Sequence, residues 1–273
     1  MPIIRTADKT ELFVKDWGEG RPVILIHGWP LNADSWERQA LSLADAGYRV
    51  VSYDRRGFGR SGQPFGGYDY DTMADDLASV IDGLDLRDAA LVGFSMGGGE
   101  VARYVARHGT ARLRQAVLIS SIAPFMLKTR DNPEGVAPEV FEQMEQGVTE
   151  DRPQFLRDFL PGFYGQDTEG GGVSAGVLDW TWGMAMMASP RATLSCIDAF
   201  GRTDLRPDMK AFDIPVLVVH GTGDSVVPID VSGRRAAASI EGAELREYDG
   251  APHGLIATHA DRLSRDLVDF LKG

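Results

Sequence analysis

The chain has 273 residues, 43% of them hydrophobic and 25% charged, a formal net charge of −12 and one cysteine, Cys196. That apolar content supports one sizeable core, or a core carrying an insertion, while the acidic balance repels nucleic acid and anionic membranes as partners and a lone cysteine allows no internal disulfide. No apolar run has the length that spans a bilayer, and "MPIIRTADKT" lacks the basic start, apolar stretch and small-residue cleavage site of a signal peptide, so a cytoplasmic enzyme or binding protein is expected.

In chain order, "TELFVKDWGEG" (10–20) alternates polar and apolar residues and predicts an early antiparallel strand. "PVILIH" (22–27) is a continuous apolar run, as expected of a strand buried on both faces. "ADSWERQALSLADAG" (33–47) is helical, with Gly47 where a helix end favours glycine. The rhythm repeats with the strand "YRVVSYD" (48–54), the helix "DYDTMADDLASVIDGL" (69–84), the strand "AALVGF" (89–94), the helix "SMGGGEVARYVARHG" (95–109) closed by Gly109, and the strand "LRQAVLIS" (113–120). Strand alternating with helix predicts an α/β fold with helices on both faces of a parallel sheet.

Between 124 and 209 the rhythm stops. "DNPEG", "PGFYGQ", "EGGGVSAG" and "LDWTWGMAMMASPRATLSCIDAF" carry several short helical patterns and no buried strand. We read 124–209 as a helical cap inserted in a core formed by 1–123 and 210–273. Its aromatics and methionines are divided between a satellite core and a pocket wall. "IPVLVVH" (214–220) restores the rhythm, which runs to the last residue.

The chemistry concentrates at "VGFSMGG" (92–98), where Gly93-Phe94-Ser95-Met96-Gly97 matches G-x-S-x-G between a strand and a helix. Glycines on either side permit the sharp turn that lifts a serine above a sheet. The following helix N-terminus offers free N–H groups to a developing negative charge. A serine needs a base, and the base needs an orienting acid. "VVHGTGDSVVP" (218–228) supplies Asp224 beyond a buried strand, and "YDGAPHGLIATH" (248–259) supplies His253 before the last helix. The order serine, acid, histidine fits the motif.

The competing residues have plainer readings. His108 ends a helix, His259 falls inside the final helical pattern and His220 closes a strand, so each is expected to be structural. His27 lies next to the turn after the second strand and is placed to support it. Asp213 and Asp249 do not follow a buried strand directly. No histidine pair has helical ligand spacing with a helping carboxylate, there is no C-x-x-C, and no G-x-G-x-x-G opens a βαβ unit. No metal or nucleotide cofactor is expected.

"IHGWPLNADSWE", "YDRRGFGRS", "YDYDTMADDL", "LVGFSMGGGEVARYVARHG", "FGRTDLRPDM", "HGTGDSVVP" and "GAPHGL" together resemble the α/β-hydrolase superfamily. Within it they are similar to the cofactor-free haloperoxidase (perhydrolase) and aryl esterase group. The resemblance implies a mostly parallel eight-stranded sheet, Ser95 as nucleophile, His253 as general base and acid, and Asp224 as its orienting carboxylate. It implies the backbone N–H groups of Trp29 and Met96 as an oxyanion hole, no haem or metal, and small esters or carboxylic acids as substrates with hydrogen peroxide as co-substrate. It also allows a homo-oligomer. On the same triad a lactonase or a γ-lactamase acting on lactams is the alternative; a lyase or a non-catalytic ligand-binding relative is the alternative of another class.

Pro30, Phe94, Ile122, Phe125, Phe159, Val226 and Val227 are the residues expected to shape an apolar pocket. Pro30 has no N–H and its ring restricts Trp29. That restriction is expected to aim the Trp29 carbonyl at an acyl-enzyme, where it accepts a hydrogen bond from incoming peroxide.

Overall fold

A computed structural model describes residues 2–273. The chain runs β1 (Ile3–Arg5), β2 (Glu11–Trp17), β3 (Pro22–Ile26), α1 (Glu37–Asp45), β4 (Arg49–Tyr53), α2 (Tyr70–Gly83), β5 (Ala89–Phe94), α3 (Met96–His108) and β6 (Leu113–Ile119). Three helices follow, α4 (Pro138–Phe163), α5 (Ala175–Met186) and α6 (Pro190–Arg202), and then β7 (Val216–Gly221), α7 (Gly233–Ser239), β8 (Glu244–Tyr248), α8 (Leu255–Thr258) and α9 (Ala260–Lys272). The strands form one eight-stranded sheet in the order β1-β2-β4-β3-β5-β6-β7-β8. The pairs β1–β2 and β2–β4 are antiparallel and all others parallel.

The continuous apolar runs resolve into two interleaved faces, because successive side chains of a strand point to opposite sides. Ile24, Ile26, Val51 and Leu91 join the layer of α2 and α3, while Val23, Leu25, Val50 and Val92 join that of α1 and α9. Both layers are needed, since a parallel sheet is apolar on both sides. On α9, Leu263, Leu267 and Leu271 recur every fourth residue and are all fully buried. Asp69 caps α2 by accepting from the Thr72 N–H at 2.9 Å, and Gly109, at φ 73°, ends α3. The edge strands β1 and β8 escape the apolar pattern because nearly all of their residues are exposed or half-buried.

Between β6 and β7 the chain leaves the sheet. The short helical patterns expected there are partly fused: α4 spans 26 residues, broken at Asp151 (φ −152°, ψ 81°). Asp151 Oδ1 accepts the Gln154 N–H at 3.0 Å, so the second half restarts with its own cap just before Pro153. Trp182 Nε1 donates to the Pro153 carbonyl at 2.9 Å and Arg152 to the Ala188 carbonyl at 2.8 Å, tying the break to α5. Among the described residues no helix is long and apolar enough to cross a membrane.

Candidate active site

Ser95 sits between β5 and α3 at φ 55° and ψ −117°, a conformation that costs a non-glycine residue about 1–3 kcal/mol. Its glycine neighbours are required by close approach. A Cβ on Gly93 would lie 2.4 Å from the Gly97 carbonyl oxygen, and one on Gly97 would lie 2.4 Å from the Ile26 carbonyl oxygen. The first turn of α3 thus rests directly on the end of β3. Tyr70 Oη donates to the Met96 carbonyl at 3.1 Å and fixes that turn from the other side.

His253 stands in the loop after β8, with Nε2 2.9 Å from Ser95 Oγ and Nδ1 2.7 Å from Asp224 Oδ2. Its ring is wedged between Phe94 (centroids 5.2 Å apart) and Phe163 of α4 (4.9 Å), which leaves it 1% exposed. Asp224, three residues beyond β7, accepts the Val226 and Val227 N–H groups on Oδ1 at 3.0 and 2.7 Å. Burial alone raises the Asp224 pKa, but the His253 charge and the hydrogen bonds from both histidines outweigh it and hold the carboxyl at about 2. With an ionised carboxylate on Nδ1, the proton of a neutral His253 resides there and Nε2 is free to accept from the serine. The serine, histidine and acid expected from the sequence are therefore brought into one hydrogen-bonded line.

The second histidine in that line is the one the sequence reading assigned to structure. His220 Nε2 lies 2.9 Å from the Val227 carbonyl and 3.2 Å from Asp224 Oδ2, so its N–H serves the acid and its loop together. Its Nδ1 has no partner among the described residues. Only the loop's return makes this contact, and linear spacing carries no sign of it. The other candidates fall elsewhere. His108 pairs with Asp75 at 2.8 Å, Asp213 accepts from Thr110, and Asp249 accepts from Thr222 at 3.3 Å. His259 lies at the junction of α8 and α9, not inside a continuous helix.

Trp29 and Met96 flank Ser95 from two elements: the turn after β3 and the first residue of α3. Among the described residues neither backbone N–H finds an acceptor in the protein. The Trp29 indole N–H donates to the Thr193 carbonyl of α6 at 3.0 Å, and its ring packs 5.6 Å from Phe159 and 5.7 Å from Phe200. The turn closes with the Leu31 N–H on the Gly28 carbonyl at 3.0 Å, and the Trp29–Pro30 peptide is cis.

Ser95, His253 and Trp29 line a narrow apolar cavity of about 40 Å³. Ile122, Phe159, Val226 and Val227 line it, as expected. Pro30, Phe94 and Phe125 do not. Phe94 is the last residue of β5, so strand alternation sends its ring under the sheet to Trp36, Phe163 and His253. Phe125 is buried away from the cavity beneath the Arg206 guanidinium, 4.8 Å from its ring. Pro30 is buried in the turn behind Trp29. Their places are taken by residues that the sequence reading left unassigned: Met126, Val136, Val140, Phe141 and Met144, then Phe163 and Phe200, mostly from α4 and α6. Helical periodicity names the apolar side of these helices but not whether it meets protein or empty space.

A family model described as alpha/beta hydrolase fold matches residues 21–260. The chain is 52% identical to a non-heme chloroperoxidase of Kitasatospora aureofaciens over 99% of each chain. It is 42% identical to a bifunctional esterase/perhydrolase of Acinetobacter calcoaceticus over 100% of each. Among solved structures, a bromoperoxidase of Bacillus anthracis superposes with a TM-score of 0.95 at 43% identity, covering 100% of this chain and 99% of that one.

Proposed function

Because the chain belongs to the alpha/beta hydrolase family, we propose that it is a serine hydrolase that cleaves small carboxylic esters, aryl esters among them, and passes the acyl group to hydrogen peroxide as well as to water. The observation that carries this reading is the line Ser95–His253–Asp224 opening on a small apolar cavity beside two free N–H groups.

Ser95 Oγ attacks the ester carbonyl while His253 Nε2 takes its proton. The carbonyl oxygen becomes an oxyanion between the Trp29 and Met96 N–H groups, each worth about 10²–10³-fold in rate for donors of this kind. Collapse expels the alcohol, which leaves with the proton held by His253. Water or hydrogen peroxide then attacks the acyl-enzyme, giving up a proton to His253, and the second collapse frees Ser95 with a carboxylic acid or a peracid. Halide oxidation is done by the peracid in solution and needs no halide site. In this reading residues 124–209 are a cap that excludes bulk water from these steps. Rapid stoichiometric labelling of Ser95 by a fluorophosphonate, followed by a screen of aryl acetates, lactones, lactams and acetate plus peroxide, tests it. Labelling without turnover of esters, lactones or lactams would leave a lyase or a binding protein.

The cavity limits the acyl group. A water needs about 10–15 Å³ of such volume, so about 40 Å³ admits an acyl chain of only a few carbons. Phe159 lines the cavity beside Trp29, and Phe159→Ala is expected to raise the preference for hexanoyl over acetyl phenyl esters by about 10-fold or more in kcat/KM. An unchanged preference would place the acyl chain against another wall.

Pro30, next to the proposed oxyanion residue, holds the Trp29 carbonyl where a peroxide attacking the acyl-enzyme meets an acceptor. One hydrogen bond of that kind is worth about 0.5–1.5 kcal/mol. Pro30→Leu is therefore expected to lower the ratio of perhydrolysis to hydrolysis by about 2- to 13-fold. Peracid and carboxylic acid formed from one ester are measured side by side, and an unaltered ratio removes the role of the proline.

A further inference from the structure

Beneath the two free N–H groups lies a charged cluster that the steps above do not use. Arg55 and Glu100 are each 0% exposed, and Arg55 Nε donates to Glu100 Oε2 at 2.7 Å. Tyr53 Oη donates to the other carboxylate oxygen. Arg55 Nη2 donates to the His27 carbonyl at 2.8 Å, and the Arg55 backbone N–H donates to His27 Nε2 at 3.0 Å. With Nε2 accepting, the imidazole proton sits on Nδ1 and is given to the Gly28 carbonyl at 2.9 Å. Burial, and after it the Arg55 charge, keeps His27 well below its ordinary pKa and therefore neutral.

Removing two charges from water costs several kcal/mol, and an apolar pair of similar volume is often as stable or more so. Stability alone is thus a poor account of this pair. Its placement offers a better one. His27 precedes Trp29 by two residues on the turn after β3, and Glu100 follows Met96 by one helical turn on α3. A single guanidinium bridges the element that carries one free N–H and the element that carries the other. The direct contact between these elements runs through Gly97, which has no side chain to interlock with β3.

We propose that Arg55 and Glu100, held by Tyr53, are positioning residues that set the spacing of the Trp29 and Met96 N–H groups. The proposal rests on reading those groups as the oxyanion hole. A misplacement of about 1 Å in such a constellation costs about 10²-fold in rate.

The test is the apolar double variant Arg55→Met with Glu100→Leu. It is expected to fold, with a melting temperature lowered by the Tyr53 hydroxyl and His27 carbonyl left without partners, and to keep KM for phenyl acetate within about threefold, with kcat lower by about 10²-fold. Affinity for methylboronic acid, which forms an anionic tetrahedral adduct on the serine, is expected to fall by a similar factor, while inhibition by phenol stays as in the parent. A kcat and a boronate affinity that both match the parent overturn the proposal. If the double variant does not fold, Arg55→Lys decides. Its single ammonium keeps the charge but cannot reach both Glu100 and the His27 carbonyl, so the same loss of kcat and boronate affinity is expected, and parental values overturn the proposal. A parent enzyme that binds the boronate no better than phenol would overturn the oxyanion-hole reading itself, which separates that failure from a failure of the spacing argument.

Discussion

Ser95→Ala is expected to lower kcat for phenyl acetate by about 10⁴- to 10⁶-fold, with KM and thermal stability close to the parent's. Among the described residues, Ser95 Oγ is the only hydroxyl hydrogen-bonded to His253 Nε2, at 2.9 Å. Removing it leaves the base without a nucleophile to deprotonate. Alanine needs the same positive φ, so the turn keeps its existing strain, and the apolar cavity retains its shape. In the proposed mechanism, what survives is the attack of water on a bound ester polarised by the two N–H groups, the residual catalysis that remains when such a nucleophile is lost. Steady-state kinetics, fluorophosphonate labelling and a melting curve on one preparation settle the point. A variant keeping a tenth of the activity would remove the acyl-enzyme from the mechanism.

Asp224→Asn is expected to cost about 10⁴-fold in kcat with little change in KM. The argument follows the donors. Oδ1 accepts two backbone N–H groups, from Val226 and Val227, so the amide oxygen of an asparagine must occupy that side. Its NH₂ then faces His253 Nδ1 and His220 Nε2, where the carboxylate had accepted from both. Two donors cannot face each other. His253 moves its proton to Nε2 and presents an N–H to Ser95, so it can no longer take the serine proton. Nitrogen-15 NMR of the imidazole reads the tautomer directly. Unchanged tautomer and unchanged rate together would remove Asp224 from the role of orienting acid.

The candidate site was legible in the sequence, as a set of residues that the fold brings together, where chemistry demands particular residue types at short range. Gly93-x-Ser95-x-Gly97 announces a turn too tight for a Cβ, and the distances around Gly93 and Gly97 give the reason. Asp224 and His253 were legible because a buried run ends shortly before one and a helical pattern starts shortly after the other. His220 was not, because its contact with Asp224 and the Val227 carbonyl depends on the acid loop folding back over the end of β7. The same holds for Arg55 and Glu100, which stand 45 residues apart and carry no mark of being a buried pair.

The sequence by itself determined the alternation of buried strands and amphipathic helices, hence a parallel sheet covered on both faces, and it determined the order of serine, acid and histidine along the chain. Both are local matters: side-chain period follows from backbone geometry, and turn chemistry from a few adjacent residues. Only the tertiary structure decided the walls of the cavity. Phe94, Phe125 and Pro30 are as apolar as Ile122 or Phe159 but lie behind the wall, while Phe141, Phe163 and Phe200 form it from helices that periodicity shows only to have an apolar side. Burial is driven by removing apolar area from water and is indifferent to direction. Whether a buried ring meets another ring or a cavity depends on how α4 bends at Asp151 and where α6 comes to rest on Trp29, and those positions come from packing between segments far apart in the chain.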